Sequence, residues 1–231
     1  MAQPFRFMLD QTETKSYGDF IPRNLRPLID RAIPHARAQI SGSPVVAIGL
    51  ASSSQTFFGV NVELPGVPLN YSIHAEQFLV ANLALHSELQ LKGLAISTNG
   101  YYFQAPCDHC CQFLKEVRDM ALRAATMSYA RFSKCPSGVA LIDRRGTVYS
   151  GWFMESVAHN PSLGPVQAAL VDFVINGDGQ EFKEIVEAVL VEKRGAVLSQ
   201  EDTARMILEK IADPDCIFRV SYIANIIKSS L

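Results

Sequence analysis

The chain has 231 residues, 48 % hydrophobic and 19 % charged, with a formal net charge of −2. That length supports one large domain or two small ones, each with its own core, and the composition excludes a disordered chain. A slightly acidic balance argues against a polynucleotide partner, whose binders show a basic excess or a basic face, and points to a small-molecule substrate.

In chain order, the apolar residues Leu25, Leu28, Ile29, Ala32, Ile33 and Ala36 recur at helical period, which predicts a helix over 24–40 kinked at Pro34. Val45–Leu50 and Phe57–Val62 read as two strands joined by a hairpin through Ser52–Gln55. A Pro/Gly loop, Leu64–Pro68, precedes a helix over 73–86 rich in Ala and Leu. Leu91–Ser97 reads as a strand, Asn99–Pro106 as a loop, and a helix starts near Cys107. The second half follows the same order: a helix (120–130), a strand at Gly138–Ile142, a turn at Arg144–Gly146 and a strand at Thr147–Met154. A loop at Asn160–Pro165 follows, then a helix (166–174), a strand (185–191), a helix (200–211) and a last strand (217–223). No run of about 18 apolar residues occurs, so no membrane-spanning helix is expected. The apolar stretch in Met1–Asp10 is too short for a signal peptide, which makes the cytosol the expected compartment.

The halves match residue by residue. Pro44-Val-Val-Ala pairs with Pro136-Ser-Gly-Val-Ala, Phe58-Gly-Val-Asn-Val-Glu63 with Ser150-Gly-Trp-Phe-Met-Glu155, and Gln77 with Gln167. A duplicated α-β-β-α-β-α unit is the expected organisation, with domains at 1–119 and 120–231. Repeat two ends in a strand, Cys216–Ile223, that repeat one lacks. Between Asp119 and Met120 two helical patterns join with no turn signal, as if a segment were missing.

The chemistry concentrates at two helix starts. His74-Ala75-Glu76 opens one, and Pro106-Cys107-Asp108-His109-Cys110 opens the other. One imidazole and two thiolates make three protein ligands and leave a fourth position open, the pattern of a catalytic zinc rather than a structural one. Helix N-termini favour anionic thiolates. Glu76 lies near such a metal without binding it and can take a proton from a metal-activated water. This His-x-Glu…Pro-Cys-x-x-Cys arrangement is the signature of zinc nucleobase deaminases. The five cysteines do not form a secreted disulfide pattern, being odd in number with Cys107, Cys110 and Cys111 bunched.

On these residues, together with Pro106-Cys-x-x-Cys-x-Gln-Phe113, His74-Ala-Glu-Gln77 and Ser137-Gly-Val-Ala, nearly the whole chain resembles the cytidine deaminases, in their two-repeat homodimeric branch. The resemblance implies a duplicated three-layer α/β fold with a mixed central sheet flanked by helices. It implies a zinc-dependent hydrolysis of cytidine or 2′-deoxycytidine to uridine or 2′-deoxyuridine and ammonia, in pyrimidine salvage. His74, Cys107 and Cys110 would hold zinc, Glu76 would shuttle protons, and Asn61 and Glu63 would bind the ribose hydroxyls of a free nucleoside. The first repeat would be catalytic. The second, with Gly164-Pro-Val opposite His74-Ala-Glu and Phe153 opposite Asn61, would be a degenerate packing unit without zinc.

Several features depart from the family pattern. Asp108 stands for a Gly and Cys111 for an Arg, the first strand lacks the family's phenylalanine at Ser43-Pro-Val-Val-Ala, and the loop 98–105 is long. These mark a divergent member. The alternative reading is a zinc-binding pseudoenzyme acting as a structural or dimerisation partner.

Overall fold

A computed structural model of the protein describes residues 5–88, 91–100, 102–107, 110, 128, 130, 132–156 and 162–223. The junction at Asp119–Met120, the body of the helix expected from Cys107, and Asp108, His109 and Cys111 lie outside these residues, as does the expected helix at 120–130 apart from Ser128 and Ala130, which are not helical. Two compact units emerge: Met1–Glu63 with Leu69–Leu122, and Leu64–Pro68 with Arg123–Leu231.

The first unit holds β1 (Met8–Leu9), α1 (Gln11–Ser16), α2 (Pro22–Ala32), β2 (Val45–Ala51), β3 (Thr56–Val60), α3 (Ala75–Leu85), β4 (Leu91–Thr98) and β5 (Tyr102–Gln104). Its strands form one sheet in the order β1-β3-β2-β4-β5, every pair antiparallel. Residues Ala75–Leu83 of α3 are buried all round, as a helix apolar on every side must be. Ala47, Ala51 and Phe57 of the strands and Ile96 of β4 close with Ala75, Leu79 and Leu83 into one core cluster. Gly59 makes this approach possible. A Cβ there would meet the Ala75 carbonyl oxygen at 2.1 Å and the Leu79 nitrogen at 2.6 Å, so helix backbone rests directly on strand backbone.

The second unit holds β6 (Ser137–Asp143), β7 (Val148–Trp152), α4 (Pro165–Asn176), β8 (Ile185–Lys193), α5 (Glu201–Ile211) and β9 (Ile217–Ile223). Its sheet runs β7-β6-β8-β9 and is mixed, with β8 and β9 parallel. Gly151 repeats the role of Gly59: a Cβ there would lie 2.0 Å from the Ala169 nitrogen. The duplicated α/β fold with helix-packed sheets is therefore present, and the mixed pairing sits in the second unit.

Three local expectations change. The helix predicted to run to 40 stops at Ala32 and gives way to a 3-10 turn, Ile33–His35, because Pro34 has no N–H to continue the ladder. The segment 99–106, expected as a loop, contains β5, paired with β4 through Thr98 opposite Tyr102. Asn99 (φ 53°) and Gly100 (φ 72°) make the turn. In the second unit the corresponding sheet edge carries the parallel seven-residue β9 instead. Finally, α1 was not expected. Its capping box is formed by the Glu13 N–H donating to the Asp10 carboxylate (2.8 Å) and the Asp10 N–H donating to the Glu13 carboxylate (3.1 Å).

Candidate metal centre

A two-residue bridge sets the position of the α3 N-terminus. Val62 and Ile73 exchange backbone hydrogen bonds, each 2.9 Å, so the chain leaving β3 and the chain entering α3 run side by side. His74 is then the N-cap residue, extended at φ −72° and ψ 152°, and its N–H donates to the Gln77 side-chain oxygen at 3.0 Å. Its imidazole is directed to the two cysteines. Nδ1 lies 3.4 Å from the Cys110 Sγ and 3.8 Å from the Cys107 Sγ. The Cys110 N–H donates to the Cys107 Sγ at 3.5 Å, which turns the thiol inward at the start of its segment. Among the described residues, His74, Cys107 and Cys110 are the one such trio of ligand atoms lying within 4.8 Å of one another.

These distances suit zinc. Bonds of about 2.3 Å to sulfur and about 2.0 Å to nitrogen place tetrahedral neighbours about 3.5–3.8 Å apart. The electrostatics suit it as well. Glu76 is buried, 4 % exposed, and contacts Cys110. Burial pushes its carboxyl up from the ordinary value, against hydrogen bonds from its own backbone N–H and from the Cys110 thiol. Burial also pushes the Cys110 thiol far up, and the facing Glu76 and Cys107 push it further. Three groups able to carry negative charge thus crowd one place, and a dication supplies the balance that lets both thiols ligate as thiolates. Cys107 is exposed, so the trio is open on one side.

Asn61 and Glu63 lie just beyond β3, on the stretch that bridges to Ile73. The structure ties both to the loop ahead of β2. The Asn61 Oδ1 accepts from the Val45 N–H (2.8 Å), and its Nδ2 donates to the Ser43 carbonyl (3.1 Å). The Glu63 carboxylate accepts from the N–H groups of Ile40 (2.6 Å) and Ser41 (3.0 Å), and from the Ser41 hydroxyl. Burial alone would raise its carboxyl, but the Ser41 and Ile40 donors outweigh it and hold Glu63 below its ordinary value. Sequence reading missed these partners, which lie 22 and 23 residues away with no spacing signal.

Among the described residues, the second unit reproduces the frame with Gly164 at the position of His74. Met154 and Leu163 bridge as Val62 and Ile73 do. Gly164 is the N-cap of α4 at φ −67° and ψ 157°, nearly the His74 conformation. Gln167 folds over it as Gln77 folds over His74, its Oε1 only 2.1 Å from where a Cβ at 164 would stand. At the turn after β6 the adjacent arginines are engaged in ion pairs: Arg144 with Asp213 and Glu184, and Arg145 with Asp143 and Asp178.

Known proteins agree with this geometry. Two family models, both described as "Cytidine and deoxycytidylate deaminase zinc-binding region", match residues 73–205 and 23–120. Cytidine deaminase 8 of Arabidopsis thaliana is 60 % identical, covering 95 % of this chain and 99 % of that protein. Cytidine deaminase 6 of the same plant is 42 % identical over 93 % of this chain and 97 % of its own length. A third relative there, described as probable inactive cytidine deaminase 4, is 46 % identical over 95 % of this chain and 96 % of its own. The alignment with cytidine deaminase 8 spans 289 positions against the 231 residues of this chain, so that relative carries at least 58 residues without a counterpart here.

Proposed function

This chain belongs to the family of cytidine and deoxycytidylate deaminases, and on that premise we propose that it hydrolyses cytidine or 2′-deoxycytidine to uridine or 2′-deoxyuridine and ammonia. The observation that carries the reading is the convergence of His74, Cys107 and Cys110 at zinc-ligand spacing with a buried Glu76 against Cys110.

His74, Cys107 and Cys110 would hold zinc, which when bound would supply the Lewis acidity that makes a water nucleophilic near neutral pH. The chain's own residues do the rest. His74 and the two cysteines leave a fourth direction open. Glu76 takes the proton released from the attacking water and delivers it to N3 of the pyrimidine ring. It then takes the second proton, from the hydroxyl now on C4, and hands it to the amine, so the C4–N bond breaks, ammonia departs and a C4 carbonyl remains. Burial raises the proton affinity of Glu76, which suits a carboxylate that must hold a proton between two transfers. Asn61 and Glu63 form the sugar end of the site. The same reading includes a homodimer in cytosolic pyrimidine salvage. The paired Arg144 and Arg145, the net charge of −2, and the lack of any membrane-length apolar helix among the described residues support a small-molecule substrate away from nucleic acid and bilayer. Sedimentation of the purified protein checks the dimer.

The deciding experiment pairs zinc analysis with cytidine-to-uridine conversion on one purified sample, with Glu76→Ala beside it. One zinc per chain, with turnover that vanishes in the variant, is the expected result. Zinc-loaded protein that leaves cytidine untouched sinks the assignment and leaves the metal as scaffold.

A further inference from the structure

The outer edge of β3 is covered by the chain's own N-terminal segment. The Phe58 N–H donates to the Phe7 carbonyl at 2.9 Å, and β1 continues the pairing with Met8 opposite Phe57 and Leu9 opposite Thr56. Asn82, fully buried on α3, donates through Nδ2 to the Phe7 carbonyl (2.8 Å) and to the Phe58 carbonyl (3.0 Å). Aromatic rings complete the seat. Phe7 lies against Phe78 with centroids 5.0 Å apart, and Phe5 meets Phe58 edge-on at 5.4 Å.

The second unit supplies the comparison. With Gly59 matched to Gly151 and Gln77 to Gln167, the residues Phe58, Phe78 and Asn82 stand opposite Ser150, Ala168 and Asp172. Neither ring has a counterpart, and a carboxylate that only accepts stands where the first unit has an amide that donates. Asp172, 8 % exposed on α4, takes the Ser150 N–H at 2.7 Å through Oδ2 and the Asn176 amide at 2.6 Å through Oδ1. The Ser150 N–H is the counterpart of the Phe58 N–H that pairs with Phe7. The edge group that an added strand would need is therefore already bonded within the unit. Among the described residues β7 is the edge of its sheet. A strand arriving as Phe7 does on β3 would bring its carbonyl oxygen up against the carboxylate.

We infer that the Phe58, Phe78 and Asn82 surface is a receptor for one extended aromatic segment, the chain's own Phe5–Leu9, and that Asp172 closes the matching surface of the second unit to strands, the β7 of a second copy included. Open sheet edges invite such pairing, and an acid turned onto the edge prevents it. In Asp172→Asn one side-chain oxygen is left for both Asn176 and Ser150, and the other atom becomes a donor, as in Asn82. The edge then resembles the one that accepts a strand, and Val148, 59 % exposed on β7, gives the newcomer an apolar neighbour.

Amide hydrogen exchange and limited trypsin digestion of the full chain test the receptor. In Asn82→Leu, which keeps the volume and removes the donor, the Phe58 N–H exchanges at least about tenfold faster and trypsin cuts after Arg6 at least about tenfold faster than in the wild type. If Asn82→Leu does not fold, Phe78→Leu, which removes only the ring against Phe7, carries the same comparison. A Phe58 N–H and an Arg6–Phe7 bond as protected as in the wild type overturn the inference. Sedimentation velocity of Asp172→Asn tests the closure. Its average sedimentation coefficient rises with concentration above that of the wild type, and adding Val148→Lys, a charge on the edge, brings it back. Wild-type sedimentation of Asp172→Asn at every concentration overturns the inference, as does association that Val148→Lys leaves unchanged. No readout here depends on zinc or turnover, so an inactive protein that behaves as expected removes the deaminase reading and leaves the receptor standing.

Discussion

At the residue scale, the first consequence concerns Glu76. Its carboxylate touches Cys110 but is not one of the three ligands, so removing its proton chemistry spares the metal. Glu76→Gln keeps one zinc per chain and lowers kcat by about 10²–10⁴, the usual worth of a general acid–base. Metal analysis beside single-turnover rates checks both halves of that statement. His74→Ala or Cys110→Ser behaves differently and loses zinc before it loses anything else, which equilibrium dialysis against a zinc buffer detects. A second consequence lies in the other unit. Burial would raise the Asp143 carboxyl, but the Thr147 N–H (2.8 Å), the Gln180 amide (3.1 Å), the Tyr149 hydroxyl (2.9 Å) and the Arg145 N–H (2.9 Å) donate to it and hold it well below its ordinary value. A carboxyl with a depressed value in the folded state releases its proton more readily there than in the unfolded chain. Its stabilisation is therefore complete above the ordinary carboxylate range and disappears as pH falls toward the folded value. Asp143→Asn costs about 2 kcal/mol at pH 7 and flattens the loss of stability below about pH 4. Urea titrations at both pH values measure this. The metal trio was legible because its spacing is local within each motif and the start of α3 could be read from the Ala/Leu run. The anchors at Glu63 and Asp143 were not, because their donors come from other segments and leave no pattern along the chain.

At the element scale, the helix-on-strand contact governs the site. A methyl group at Gly59 meets backbone atoms of α3 that have nowhere to go. Gly59→Ala lowers unfolding free energy by about 1–3 kcal/mol, as overpacking does, and shifts His74, so zinc affinity falls with it. Gly151→Ala costs a similar amount, since its Cβ would lie 2.0 Å from the Ala169 nitrogen, yet zinc affinity holds. Chemical denaturation and competitive zinc titration on the two variants separate the effects. The strands and the long buried helices could be read from their apolar runs. The β4–β5 hairpin had a signal that was passed over: Asn99-Gly100 favours positive φ and joins Ile96-Ser97-Thr98 to Tyr102-Phe103, but the run after it is only three residues long. The capping box at Asp10 and Glu13 was likewise written in the sequence, ahead of a helix too short and polar to show a period.

At the scale of the whole molecule, the metal belongs to one unit and the other keeps its frame without it. The described trio lies wholly in the first unit, and α5 of the second is held instead by Glu192, a 2 % exposed carboxylate that accepts from the Ser199 hydroxyl (2.7 Å) and the Gln200 N–H (2.9 Å). Stripping zinc with a chelator therefore raises amide exchange around His74 and Cys110 and leaves β6, β8 and α5 protected. Uniform loss of protection across both units contradicts this division. The duplication was legible at the level of matched residues. Its second sheet edge was legible only in part, because a parallel strand and a short hairpin can cap the same edge.

The matched N-caps at His74 and Gly164 also bear on whether the second unit could gain a metal of its own. The backbone at 164 has nearly the conformation that presents the imidazole at 74, although Gly164 has no side chain to present. The space is taken: the Gln167 Oε1 lies 2.1 Å from where a Cβ at 164 would stand. A histidine placed at 164 must displace Gln167. A side chain gained at 164 therefore meets Gln167 before it can meet a metal, and the packing of α4 works against a second centre there.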